Sequence, residues 1–182
     1  MERENIFKII TREFKKRKIR CVLIGGFAIN QYRPARHTAD IDFLVDEKDF
    51  SSIDSILKPY GFKNGPRTSI FARLEALQQQ EMDLDFLFVD AEILKRIFDE
   101  GQFVRIGGER FVIPSIEHLI ALKLHAVKNN PARQLKDLFD ILEMIEANRL
   151  NVRTEKFKKL CLNYGSRELY EKILQHCTKA RS

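Results

Sequence analysis

The sequence predicts an α+β fold, a mixed β-sheet core flanked by helices with a helical C-terminal part. Three observations carry this. The segments Asp40-Ile-Asp-Phe-Leu-Val45 and Glu81-Met-Asp-Leu-Asp-Phe-Leu-Phe-Val89 alternate acidic with apolar residues, the period of a strand. An apolar run, Cys21-Val-Leu-Ile24, ends at the diglycine Gly25-Gly26 and is followed by helix-like spacing. From Ser115 onward, apolar residues recur at helical intervals.

Taken in order, an amphipathic helix is expected over Glu2–Lys18, with Ile6, Phe7, Ile9, Ile10 and Phe14 on its apolar face. The β-run at Cys21–Ile24 leads through the diglycine to a helix at Phe27–Tyr32, closed by Pro34. After the first acidic strand, Lys48–Tyr60 reads as a helix carrying Phe50, Ile53, Ile56 and Leu57 and stopped by Pro59 and Gly61. Thr68–Leu74 is expected to pair with the Met82 strand across Gln78-Gln79-Gln80. A short helix at Ala91–Phe98 precedes a hairpin of Gln102–Ile106 and Arg110–Ile113 turning at Gly107-Gly108. The expected division is an α/β core over residues 1–114 and a helical part over 115–182 packed on it, without internal repeats or low-complexity linkers.

Composition fits one sizeable core. The chain has 182 residues, 44% of them hydrophobic, and a formal net charge of +6. It contains no apolar run near the length of a membrane span, and its N-terminus is charged where a signal peptide is apolar, so a cytoplasmic protein with no membrane partner is expected. Three cysteines, Cys21, Cys161 and Cys177, lack metal-like spacing and are read as reduced thiols. Four scattered histidines point to no zinc site.

The chemistry concentrates in the acids. On a strand, Asp40 and Asp42 point to one side, roughly 7 Å apart, while Ile41 and Phe43 point to the other. Two such carboxylates can hold hard cations. Strand, diglycine and helix bring backbone N–H groups close to an anion such as phosphate. Each signal alone also describes an ordinary strand end or a solvated strand face, and the combination is what points to metal-assisted phosphoryl transfer. Asp83 and Asp85 share a face of the second acidic segment, and four converging carboxylates call for a divalent counter-charge. A calcium-binding loop over Asp40–Asp49 is excluded, because Leu44 and Val45 stand where an oxygen ligand and a glycine are needed.

The Gly-Gly, Asp-x-Asp and third-acid pattern resembles the DNA polymerase beta-like nucleotidyltransferase superfamily. Within it, Leu-Ile-Ala-Leu-Lys-Leu-His-Ala around Lys123, with Arg133-Gln-Leu-Lys-Asp-Leu-Phe-Asp-Ile141, resembles the helical lysine and aspartate motifs of AbiEii-type enzymes, a group that includes phage-defence and toxin–antitoxin proteins. The resemblance covers roughly residues 20–145. It implies a magnesium-dependent enzyme, with two ions, that moves a nucleoside monophosphate from a nucleoside triphosphate to a hydroxyl acceptor. Gly25 and Gly26 would lie against the triphosphate, Asp40 and Asp42 on magnesium, and Asp83 or Asp85 would be the third carboxylate, with Asp85 favoured for its shared Asp-Phe-Leu context. Lys123 would neutralise phosphate charge, Asp137 would position that lysine or the acceptor, and Arg36 and Thr38 fit the Arg-x-Thr-x-Asp-x-Asp run.

From spacing alone, Lys123 sits beside the buried stripe of Ile116, Leu119, Ile120, Leu124 and Val127 and equally fits a lysine reaching to water. Arg133, Lys136, Asp137 and Asp140 likewise fit ordinary surface ion pairs of a helix. Basic residues gather at Arg12–Arg20 and again from Arg153 to the C-terminus. A basic surface around an acidic site suits RNA or tRNA, or an acidic antitoxin partner. A small-molecule, antibiotic-modifying transferase and a degenerate nucleotide- or partner-binding module are the competing readings.

Overall fold

Asp40 to Asp46 forms the strand around which the site is built, and its register against its neighbours fixes which acids meet. The computed structural model describes residues 4–34 and 37–179. These group into two compact units, residues 4–28 with 37–115 and residues 29–34 with 116–179. Residues 29–34 thus belong with the C-terminal helices and not with the α/β core.

In the first unit, α1 (Ile6–Lys16) is capped by the Asn5 side chain, which accepts from Phe7 N–H, and buries Phe7, Ile9, Ile10 and Phe14. It is shorter than the expected Glu2–Lys18; residues 1–3 lie outside the described residues, and Lys18 adopts a positive φ that ends the helix. β1 (Cys21–Leu23) leads to α2 (Gly25–Ile29), which starts at the diglycine and is over before Tyr32. β2 (Asp40–Asp46) is followed by α3 (Phe50–Leu57), with tight 3-10 turns at Glu47–Asp49 and Lys58–Tyr60 where one longer helix was expected. Asp46 accepts from Lys48 N–H at the entry, and Pro59 with Gly61 at φ +93° closes the exit.

Next come β3 (Phe62–Arg67), β4 (Phe71–Ala76), β5 (Asp83–Val89), α4 (Ala91–Asp99), β6 (Gln102–Ile106) and β7 (Glu109–Ile113). β3 has no counterpart in the sequence reading. Phe-Lys-Asn-Gly-Pro-Arg lacks apolar alternation and contains proline, tolerated because β3 is a sheet edge whose pairing shifts register between Asn64 and Arg67. The expected Thr68–Leu74 strand is displaced to Phe71–Ala76 for the same reason, since Thr68 to Ile70 make the turn out of β3.

The five-stranded sheet has the order β1-β2-β5-β4-β3, with β2 and β5 parallel and the other pairs antiparallel. One face buries Ile41, Phe43, Leu84 and Phe86, and the Phe43 and Phe86 rings stack with centroids 5.8 Å apart. β6 and β7 form a separate hairpin turning at Gly107 and Gly108, both at positive φ as a tight two-residue turn requires.

The second unit contains α5 (Ile116–Asn129), α6 (Gln134–Ala147), α7 (Glu155–Tyr164) and α8 (Arg167–Lys179). Leu119, Ile120, Leu124, Ile141, Met144, Phe157, Cys161 and Ile173 form its interior. Among the described residues no helix is long and apolar enough to cross a membrane.

Candidate active site

Parallel pairing sets Asp40 opposite Asp83 and Asp42 opposite Asp85, and antiparallel pairing sets Asp85 opposite Arg73 on β4. Directly paired residues project to the same side of a sheet. Asp42, Asp85 and Arg73 therefore form one row across three strands. Asp40, Asp42 and Asp85 each offer a carboxylate oxygen, and these oxygens lie within 4.8 Å of one another. Oxygens on opposite sides of a magnesium ion are about 4.2 Å apart, so this donor set of hard oxygens fits such an ion with little closing.

Three carboxylates converge and the fourth does not. Asp83 Oδ1 accepts the backbone N–H of Ala76 at 2.9 Å, which ties it to the end of β4. Among the described residues, the positive charge at the cluster comes from Arg73. Its Nε and Nη2 donate to the two oxygens of Asp85 at 2.6 Å each, Nη2 is 3.7 Å from Asp40 Oδ2, and Nη1 is 3.8 Å from Asp83 Oδ2. The hydrogen bonds to Asp85, with the surrounding acids, raise the Arg73 pKa above its already high ordinary value. Asp85 is the most enclosed of the acids, its side chain 11% exposed against 39% for Asp40.

The diglycine is explained by what leans on it. A Cβ at Gly25, which sits at φ +60°, would fall 1.8 Å from Asp42 Oδ2. A Cβ at Gly26 would fall 2.4 Å from Thr38 Oγ1. Thr38 in turn donates its hydroxyl to the Asp40 carbonyl at 3.2 Å, and Ile24 N–H donates to the Asp42 carbonyl at 2.8 Å. Gly25, Gly26, Thr38, Asp40 and Asp42 are thus one interlocked element. Arg36 lies outside the described residues.

Lys123 and Asp137 belong to the second unit and meet there. Lys123 Nζ stands 2.7 Å from Asp137 Oδ1 and 2.7 Å from Asp140 Oδ2. Arg133 Nε donates to Asp137 Oδ2 at 3.0 Å, and Arg33 pairs with Asp140 at 3.1 Å and with Glu143. Asp137 and Asp140 are buried, so the group is not a wholly surface one as its spacing also allowed: Arg133 reaches Asp137 from an exposed position at the cap of the same helix, and Lys136 is exposed. Lys123 does not reach to water either, since its side chain is only 12% exposed.

The family model of uncharacterised nucleotidyltransferases matches residues 4–180. The chain belongs to that family. This nucleotidyltransferase is also similar in fold to solved structures. The structure of ANT(2″)-Ia in complex with adenylyl-2″-tobramycin is 18% identical, with a TM-score of 0.65 over 90% of this chain and 97% of that one. A lincomycin-bound lincosamide antibiotic adenylyltransferase, LnuA, is 14% identical, with a TM-score of 0.54 over 78% of this chain and 95% of that one. A CCA-adding enzyme in complex with ATP is 12% identical, with a TM-score of 0.52 over 98% of this chain and 44% of that one. At these identities the likeness is one of fold. No curated protein sequence matches the nucleotidyltransferase significantly.

Two charged residues central to these clusters escaped the sequence reading. Arg73 lies in a segment expected as a strand, but only the β4–β5 register reveals that it faces Asp85. Arg33 sits in a turn next to Pro34, and nothing local marks it as the partner of Asp140 more than a hundred residues on.

Proposed function

We propose that this nucleotidyltransferase transfers a nucleoside monophosphate from a nucleoside triphosphate to an acceptor hydroxyl, with magnesium and with pyrophosphate as the leaving group. The observation that carries the reading is the convergence of Asp40, Asp42 and Asp85 beside a glycine pair held open for Asp42. Bound magnesium would supply charge neutralisation of the triphosphate and a lowered pKa for the acceptor hydroxyl. Asp40 and Asp42 would hold ions, two in the full complex, and Asp85 would complete the set and accept the hydroxyl proton. Gly25 and Gly26, which admit the Asp42 and Thr38 side chains, would lie against the triphosphate. Arg36 and Thr38 would contribute to nucleotide binding, as the Arg-x-Thr-x-Asp-x-Asp run implies. Lys123, positioned by Asp137, would offset charge building on the phosphates.

For the acceptor we favour RNA, tRNA included, or a protein, in a toxin–antitoxin or phage-defence setting with a cognate antitoxin, all in the cytoplasm. The AbiEii-like run from Leu119 to Ile141 and the net charge of +6 support this. So does an open groove of about 840 Å³ in the first unit, where Lys15, Lys18, Arg20 and Arg110 outnumber Asp46, Asp49 and Glu109 by one and Phe98 and Phe103 also line the wall. Asp46 also lines it, so it lies toward the opposite end of β2 from Asp40. Six residues of strand span about 20 Å, a reach that an extended polyanion covers and a small acceptor does not. A small-molecule acceptor is the second reading, favoured by the near-complete mutual coverage with ANT(2″)-Ia, whose structure holds an adenylylated tobramycin.

The test incubates the enzyme with each labelled nucleoside triphosphate, magnesium, and separately total RNA, protein extract or an aminoglycoside, beside an Asp42→Asn control. Label moving into RNA or protein, and lost with Asp42→Asn while the fold persists by circular dichroism, is the expected result. Label entering the aminoglycoside alone turns the assignment to the second reading. An undiminished rate in Asp42→Asn overturns the proposed chemistry.

A further inference from the structure

The guanidinium of Arg73 stands among the carboxylates that would hold a metal ion. Nη2 is 2.6 Å from Asp85 Oδ2 and 3.7 Å from Asp40 Oδ2, so one nitrogen stands between two of the three converging carboxylates. Nε takes the other oxygen of Asp85 at 2.6 Å, a two-pronged hydrogen bond that is both strong and directional. An ion bridging Asp40 and Asp85 needs the same space and the same lone pairs.

We propose that Arg73 is a positioning residue that competes with divalent metal for the carboxylate triad, so that an ion enters between Asp40 and Asp85 only as the guanidinium withdraws. This rests on the metal-dependent reading given above, and adds to it a competitor for the same carboxylates. Arg73 sets a positive charge against the triad and holds Asp85 in its rotamer through both carboxylate oxygens. An incoming ion meets a site of lower net charge with one ligand already taken. Withdrawal of Arg73 leaves a free cation beside the site, suited to an anionic group arriving with the nucleotide or the acceptor.

The origin of Arg73 supports a dedicated role over an incidental ion pair. Its direct partner across the β4–β5 ladder is Asp85 itself, so backbone register delivers the guanidinium to this carboxylate. The neighbouring Ala72 and Leu74 are buried on the opposite face, which fixes the direction in which Arg73 projects.

The experiment measures Mn²⁺ binding to the nucleotide-free protein by electron paramagnetic resonance for the native enzyme, Arg73→Gln, Arg73→Lys and the double variant Arg73→Gln/Asp85→Asn. Arg73→Gln is expected to bind Mn²⁺ at least tenfold more tightly, because a unit charge and a competing donor pair are removed from the site. Arg73→Lys, which keeps the charge but cannot grip both oxygens, is expected to fall between the two. The double variant should lose the gain. A purely structural ion pair predicts the reverse, since disordering Asp85 weakens a metal site. Unchanged or weaker Mn²⁺ binding in folded Arg73→Gln overturns the proposal, as does a gain that survives Asp85→Asn. If Arg73→Gln does not fold, Arg73→Lys decides alone: tighter binding supports the competition and equal binding overturns it. Because the readout is metal affinity without substrate, it separates from the transfer assay, and failure of the competition leaves the transfer reading standing.

Discussion

Replacing Gly25 with alanine should disable the enzyme through Asp42, by an amount that the local geometry sets. The added Cβ would lie 1.8 Å from Asp42 Oδ2, 2.4 Å from its Cγ and 2.8 Å from its Cβ. Rotating the Asp42 side chain clears the first two contacts but not the third, because the Cβ does not move with χ1. Carbon atoms pack at about 3.5–4.0 Å, so the start of α2 and β2 must separate by roughly 1 Å. Residue 25 also sits at φ +60°, a conformation that costs a non-glycine residue about 1–2 kcal/mol. With the packing shift, the stability loss comes to about 3 kcal/mol, a fall in Tm of about 6–12 °C for a chain of this size. A displacement near 1 Å at a reacting centre costs on the order of 100-fold in rate. Gly61→Ala separates the two effects. Its φ of +93° is equally strained, but its Cβ would meet nothing within 4 Å, so it should lower Tm by a few degrees and leave the rate of transfer alone. The assay pairs a thermal melt with single-turnover transfer of a labelled nucleotide. A Gly25→Ala enzyme that keeps native Tm and native rate would refute the claim that this glycine exists to admit the Asp42 carboxylate.

Two further outcomes follow from the ion pairs. Asp140→Asn removes a fully buried charge that faces Lys123 and Arg33, and each cation keeps one other carboxylate, Asp137 and Glu143, so the loss should sit at the low end for a broken buried pair, about 3 kcal/mol. Urea unfolding should show a midpoint lower by about 1–2 M, and an unmoved midpoint would show that the network adds nothing. The hydrogen bond from Arg12, with a second from Lys16, holds the Glu13 carboxyl below its ordinary pKa of 4.5, and the Lys156 hydrogen bond does the same for Glu117. A carboxyl whose pKa is lower folded than unfolded stabilises the fold above pH 4.5 and loses that contribution as pH falls through the folded value. Tm should therefore drop between pH 5 and pH 3, and Glu13→Gln should flatten the drop. A drop as steep in that variant as in the native protein would remove Glu13 from the account.

Much of the acid cluster was legible in sequence because it is written in strand periodicity. Asp40 and Asp42 share a face whatever the strand pairs with, and so do Asp83 and Asp85. Which of the second pair joins the first was only partly legible: the shared Asp-Phe-Leu context favoured Asp85 but left Asp83 open. That depends on Asp42 facing Asp85 across a parallel ladder and on Asp83 being claimed by the Ala76 N–H, both consequences of long-range register. Segment boundaries failed where signals were local and weak. Gly65-Pro66 hid an edge strand, and Lys48 to Tyr60 read as one helix although tight turns flank it. The lysine motif was visible as spacing on a helix, yet the spacing allowed both an exposed and an interior position.

The sequence by itself determined most of the element types, the paired acids of two strands, the diglycine before them and the membership of a nucleotidyltransferase family, because period-two alternation, turn residues and family motifs are properties of neighbours in the chain. The tertiary structure decided the rest: that Asp85 rather than Asp83 meets Asp40 and Asp42, that Arg73 stands among them, and that Arg33 and Lys123 share the buried Asp140. These are contacts between distant segments, set by sheet register and helix packing, and no local pattern encodes which charge another strand or helix will bring to its side.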